Sequence, residues 1–148
     1  RWTLSLKGQA GWISNKNVDS FFHFYLGGIP GVRGYPFYSI QGTKSALLDA
    51  TFRMPIFMEK HYKAKWIIFQ NSTLGAVIQI GDAWTEDVSI KKSVGIQWRI
   101  NGFSFYNFPT AIEVEYHQPL DTFKRGINET TISYGENGRA YVKVLFDF

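Results

Sequence analysis

The chain has 148 residues, enough for one domain with a sizeable core, and no cysteine, so disulfides, thiol chemistry and thiolate metal sites are excluded. Its net charge of +4 and pI near 9.3 come from 16 basic residues scattered mostly singly, which argues against the concentrated basic face of a nucleic-acid binder. No run of 18 apolar residues exists, so no transmembrane helix is expected.

The pattern in chain order has period two, and no 3.6-residue pattern lasts three turns. A first strand is expected over 2–13, alternating from the first residues without an initiator Met or signal peptide, as in a cut through a larger protein. An irregular stretch over 14–43 follows, holding "GGIPGVRGYPFYS" at 27–39. A second strand is predicted over 45–57, then a turn, "MEKHYKAK", and a third strand over 66–82. A fourth follows over 94–105, and after "YNFPT" a fifth over 111–118. A second long loop, "PLDTFKRGINETTISYGENG", leads to a last strand over 140–148. The expectation is six strands joined as consecutive hairpins.

Alternation is sharp in the later strands. Ile112, Val114 and Tyr116 point one way, and Glu113, Glu115 and His117 the other. Val94, Ile96, Trp98 and Ile100 oppose Gly95, Gln97 and Arg99; Val142, Val144, Phe146 and Phe148 oppose Tyr141, Lys143, Leu145 and Asp147. A soluble half-buried sheet shows the same alternation. Two features favour a membrane β-barrel. The strands are long enough to cross a bilayer, at about nine residues or more. Aromatics also gather near strand ends, at Tyr62, Trp66, Trp84, Phe103, Phe105, Tyr106, Phe108 and Tyr141, as interfacial girdles require. Six strands fall short of the usual minimum of about eight, and lipid does not tolerate open edges. Further strands must therefore complete the barrel.

Other chemistries find little support. The glycine spacing of "GIPGVRG" suits a phosphate cradle only with a helix after it, and more strand follows. His23, His61 and His117 lack metal-ligand spacing. A triad of His117, a serine and Asp121 has no Gly-x-Ser-x-Gly elbow behind it. No enzyme activity and no cofactor are expected.

The segment from Gly27 to the terminus resembles the C-terminal part of the BamA-like outer-membrane assembly and two-partner secretion superfamily, the bacterial surface antigens. "GGIPGVRGY" is similar to the loop with the Val-Arg-Gly-Phe/Tyr signature, here Val32, Arg33, Gly34 and Tyr35, preceded by Gly27 and Gly28. "GAVIQIGDAW" resembles a wall strand in which Gly81 and Trp84 hold the family's positions, with Gln79 where the family has Asp. "YVKVLFDF" resembles a terminal strand with Val142, Val144, Phe146 and Phe148 as its recognition pattern and gate edge.

The resemblance implies an all-β, antiparallel up-and-down transmembrane barrel, of which 1–148 would be the last six of about sixteen strands. Residues 14–44 would enter the lumen, where Arg33 needs a fixed acceptor, its planar fork favouring a bidentate carboxylate. With Gln79 in the Asp position, the candidate partners are Gln79, Glu113 and Glu115. The implied location is the outer membrane of a Gram-negative-type bacterium. The implied partners are the bilayer, the remaining strands, periplasmic domains, client polypeptides and accessory subunits, with no nucleic acid. The implied function is insertion or translocation of polypeptides through a lateral gate. Alternatives are a secretion pore, a barrel serving as anchor or subunit of a larger complex, and a soluble carbohydrate-binding β-domain.

Overall fold

Long runs with one apolar and one polar side lie down best as sheet, since adjacent side chains leave a strand on opposite faces. The computed structural model, which describes residues 2–15, 17–58, 61–105, 108–127 and 130–146, is all-β and antiparallel. Its long strands are β1 (Thr3–Trp12), β4 (Lys44–Phe57), β6 (Ile67–Trp84), β7 (Lys91–Ser104), β8 (Phe108–Pro119) and β11 (Arg139–Phe146). Short strands are β2 (Phe24–Tyr25), β3 (Gln41–Gly42), β5 (Tyr62–Ala64), β9 (Phe123–Ile127) and β10 (Thr130–Tyr134). A 3-10 turn, Ser20–Phe22, is capped by Asp19, whose side chain accepts from the Phe21 N–H at 2.9 Å.

The long strands form a meander in the order β1-β4-β6-β7-β8-β11, each paired with the next long strand in the chain. Among the described residues the sheet is open, with β1 and β11 at its ends, and it does not close into a barrel. Two prolines inside strands fit this pairing. Pro55 in β4 lies past the end of β1, which stops at the Thr3–Arg53 pair, and sits at a bulge. Pro109 in β8 pairs with Phe103 of β7, beyond the Thr110–Phe146 end of β11.

Five short strands lie in stretches expected to be turn or loop. β5 occupies part of "MEKHYKAK" and pairs back on β6 through Lys65 and Trp66. β9 and β10 form a hairpin inside the second long loop. Five residues each, with Gly126 in the first, they read as loop in isolation, and only pairing makes them strands. β2 and β3 close the neck of the 24–42 excursion. The terminal position Phe148 and the girdle candidate Tyr106 lie outside the described residues.

The two faces of the sheet differ in kind. One presents Leu4, Leu6, Leu48, Phe52, Leu74, Ile78, Ile96, Trp98, Val114, Val142 and Val144, all exposed. The other carries Asp49, Gln79, Gln97, Glu113, Glu115 and His117, all buried. The only described hydrophobic cluster of buried residues sits on this polar side, where Leu26, Val32, Tyr35 and Ile40 of the excursion pack on Leu47 and Ala83 of the wall. The polar face is thus covered by the chain's own loop, and the named side chains of the apolar face are exposed.

Candidate functional site: an arginine loop on the polar face

The excursion is held by its own backbone before any side chain acts. Leu26 N–H donates to Ile40 O at 3.0 Å, and Gly28 N–H to Tyr35 O at 2.9 Å. Val32 N–H donates to Leu26 O at 2.6 Å, and Gly27 bridges Val32. This tight fold presses the tip against the wall. A Cβ at Gly34 would stand 2.8 Å from Ser93 Cβ and 3.0 Å from Pro119 N, so only glycine permits that approach. On the wall, a Cβ at Gly81 would come within 3.2 Å of Val32 Cγ2 and 2.9 Å of Ala46 O. Val32 and Tyr35 are completely buried.

Arg33 points to the wall, its side chain 17% exposed. Nη1 donates to Glu115 Oε1 at 2.9 Å and Nη2 to Asp49 Oδ2 at 3.1 Å. The guanidinium therefore splits its fork between β8 and β4, three strand spacings or about 14 Å apart in a sheet. A single bidentate partner, as expected from the fork geometry, is replaced by two carboxylates on separate strands.

Gln79 holds the loop's backbone instead of its charge. Its Oε1 accepts from Arg33 N–H at 2.9 Å, and its Nε2 donates to Gly31 O at 3.0 Å and to Asp49 Oδ2 at 2.7 Å. An amide has both a donor and an acceptor to offer here, which a carboxylate lacks. Asp49 lies directly opposite Gln79 in the β4–β6 register. The wall carboxylate thus stands one strand over from the position the resemblance implies.

Glu113 is no partner of Arg33, contrary to its place among the candidates. In register it lies between Arg99 of β7 and Lys143 of β11, and it meets both, at 3.6 and 3.1 Å. Two cations in its own row engage it, and the loop's arginine reaches Glu115 instead. Glu115, one alternation further on, collects Arg33, Gln97 Nε2 at 2.7 Å and Lys143 Nζ at 2.9 Å, with His117 Nε2 at 3.3 Å. Three carboxylates (Asp49, Glu113, Glu115) thus meet Arg33, Arg99 and Lys143 in ion pairs on this face.

Tyr141 belongs to this site and not to an aromatic girdle. Its hydroxyl donates to Arg33 O at 2.8 Å, joining the loop to β11. Tyr35 completes the anchor at the other end. Its hydroxyl donates to Asp121 O at 2.8 Å, and burial pushes its pKa above the ordinary tyrosine value, keeping it a donor. Phe123 of β9 packs on Tyr35 with ring centroids 5.7 Å apart. Arg125 of β9 donates to the carbonyls of Tyr38 and Ser39 at 3.0 and 3.3 Å and pairs with Gln41 Oε1.

The remaining predicted positions are dispersed. Trp84 ends β6 opposite Lys44. Val142, Val144 and Phe146 line the exposed apolar side of β11. Asp121 accepts from Lys92 N–H and makes no bond to His117, so no triad assembles between them.

Asp49, Tyr141 and Lys143 were absent from the expected site. Asp49 had one legible signal, an acidic residue in mid-strand among "ALLDATF" with the parity of Leu47 and Thr51. What the site can do is mechanical. It ties one loop to β4, β6, β8 and β11 through charge-assisted bonds in a largely buried setting. No protein-family model matches the chain, and no curated protein or solved structure compared with it matches either.

Proposed function

We propose that this chain is part of an outer-membrane β-barrel of the BamA type, which inserts or translocates other polypeptides without cofactor or covalent chemistry. The observation that carries the reading is the arginine loop. It lies on a polar sheet face and is fixed there by Arg33 to Asp49 and Glu115, while the opposite face exposes apolar side chains.

The dimensions support a membrane. Outward positions of β4 from 46 to 56 are Ala46, Leu48, Ala50, Phe52, Met54 and Ile56, an uncharged run about 34 Å long at about 3.4 Å per residue. Tilted by about 45°, that run is about 24 Å tall, close to the apolar band of about 25 Å on such barrels. On this reading the polar face lines the lumen and the excursion is its plug.

The proposed mechanism follows from strand physics. β11 is an end strand of the sheet among the described residues. In the barrel its seam with the first strand would pair weakly and open as a lateral gate, where a client strand can pair by β-augmentation. The plug braces the wall behind that edge, since Tyr141 and Lys143 of β11 are both tied into the arginine cluster. A rigid wall beside a reactive edge lets the edge exchange partners while the barrel keeps its shape.

The test uses the whole polypeptide that carries this segment, reconstituted in vesicles with an unfolded barrel client. Wild type is expected to migrate as a heat-modifiable band and to speed client insertion, read as protease protection. Arg33→Ala is expected to keep the heat-modifiable band and lose most of the acceleration. Full acceleration by that variant would detach the loop from function. A protein soluble without detergent and lacking heat modifiability would overturn the membrane reading.

A further inference from the structure

We infer that a recess on the apolar face binds an anionic lipid, with one acyl chain in the recess and the acidic headgroup at Lys44. The inference rests on the membrane reading above, and its test separates the two.

The apolar face is bulky nearly everywhere, but where β1, β4 and β6 meet it is hollowed. Gly8 and Ala10 of β1 and Ala46 of β4 form the floor, and Trp84, Val88 and Ile90 rise around it. The recess encloses about 540 Å³, within the usual range of about 300–1,000 Å³ for small-molecule sites. Register explains the hollow. Gly8 pairs with Leu48 and Ala10 with Ala46, so small residues on adjacent strands share one patch. Asp82, the one acid in the lining, is already held by Lys91 Nζ at 2.7 Å and by the Ser89 N–H.

Charge gives the occupant its chemistry. Among the described outward positions of the long strands the cations are Lys44 and Lys92, and both flank this recess. Lys44 stands two residues beyond Ala46, about 7 Å along the strand, in a row with Trp12 and Trp84. Lys92 pairs with Ile80, which lines the recess. Neither lysine makes an ion pair among the described residues. A Trp–Lys–Trp row above an apolar hollow matches an amphiphile at the membrane interface, its chain below and its anion above.

The test places a photocrosslinking amino acid at Val88, in the recess, or at Ile96, on the same face outside it, in the whole protein in its own membrane. Mass spectrometry then identifies the adducts. Ile96 is expected to capture lipids in bulk proportion. Val88 is expected to capture anionic lipid enriched about fivefold, the factor a lysine near an anionic surface supplies. Lys44→Gln is expected to bring the Val88 ratio back toward bulk, and Ala46→Phe to cut the Val88 adduct yield by filling the hollow, each with Ile96 unchanged. Equal ratios at the two positions, or a protein adduct at Val88 beside lipid at Ile96, would overturn the lipid site alone. No lipid adduct at either position would overturn the membrane reading and the site with it.

Discussion

The two faces of this sheet are built from the same strands, one residue out of phase, yet they keep order by opposite means. On the polar face Arg33, Asp49, Gln79, Gln97, Glu115, Lys143 and Tyr141 form directional bonds of 2.7 to 3.1 Å that fix one loop in one place. On the apolar face Leu48, Ile78, Ile96 and Val142 stand exposed and specify little about their neighbours. Buried polar groups are costly unless every partner is present, so the polar face is exacting. Apolar contact is non-directional, so the other face tolerates exchange. The contrast makes the polar face the place where single substitutions should matter most.

The largest effect should come from Glu115→Ala, which removes the shared acceptor of Arg33, Gln97 and Lys143. Breaking a buried pair by deleting one member costs about 3–5 kcal/mol, which a shift in the denaturant midpoint of unfolding from vesicles would report. A loss under about 1 kcal/mol would mean that water already serves these cations. Next is Ile96→Arg on the apolar face. It should cost about 2–4 kcal/mol by the same measurement if that face meets hydrocarbon near the midplane. If the face is wet, the change should stay within about 0.5 kcal/mol, and the contrast between faces would lose its membrane basis. The smallest is Tyr141→Phe, which deletes the hydroxyl bond to Arg33 O and keeps the ring. About 1 kcal/mol is expected, and hydrogen exchange should rise at the loop amides of Gly31 to Tyr35 with β11 unaffected.

Much of this architecture follows from local pattern. Period-two alternation alone locates the six long strands to within a few residues, because each side chain's face is settled by its parity. It also assigns Glu113 and Glu115 to one side and Val142 and Val144 to the other. Parity says nothing about which residue of one strand lies beside which residue of another. Register is a property of pairing, and it decided that Asp49 stands opposite Gln79 and that Glu113 falls between Arg99 and Lys143. Local pattern shows neither relation, since Asp49 and Gln79, like Glu113 and Lys143, stand 30 residues apart in sequence.

The short strands show the same division. "FKRGI" and "TTISY" have too few residues to declare themselves, and pairing with each other and contact with the excursion made them a hairpin. The amino-acid sequence by itself determined an all-β chain with one apolar and one polar face and a glycine-rich arginine loop. Tertiary structure alone decided which two carboxylates share the arginine, since several acids had the right parity and only register and loop packing could choose among them.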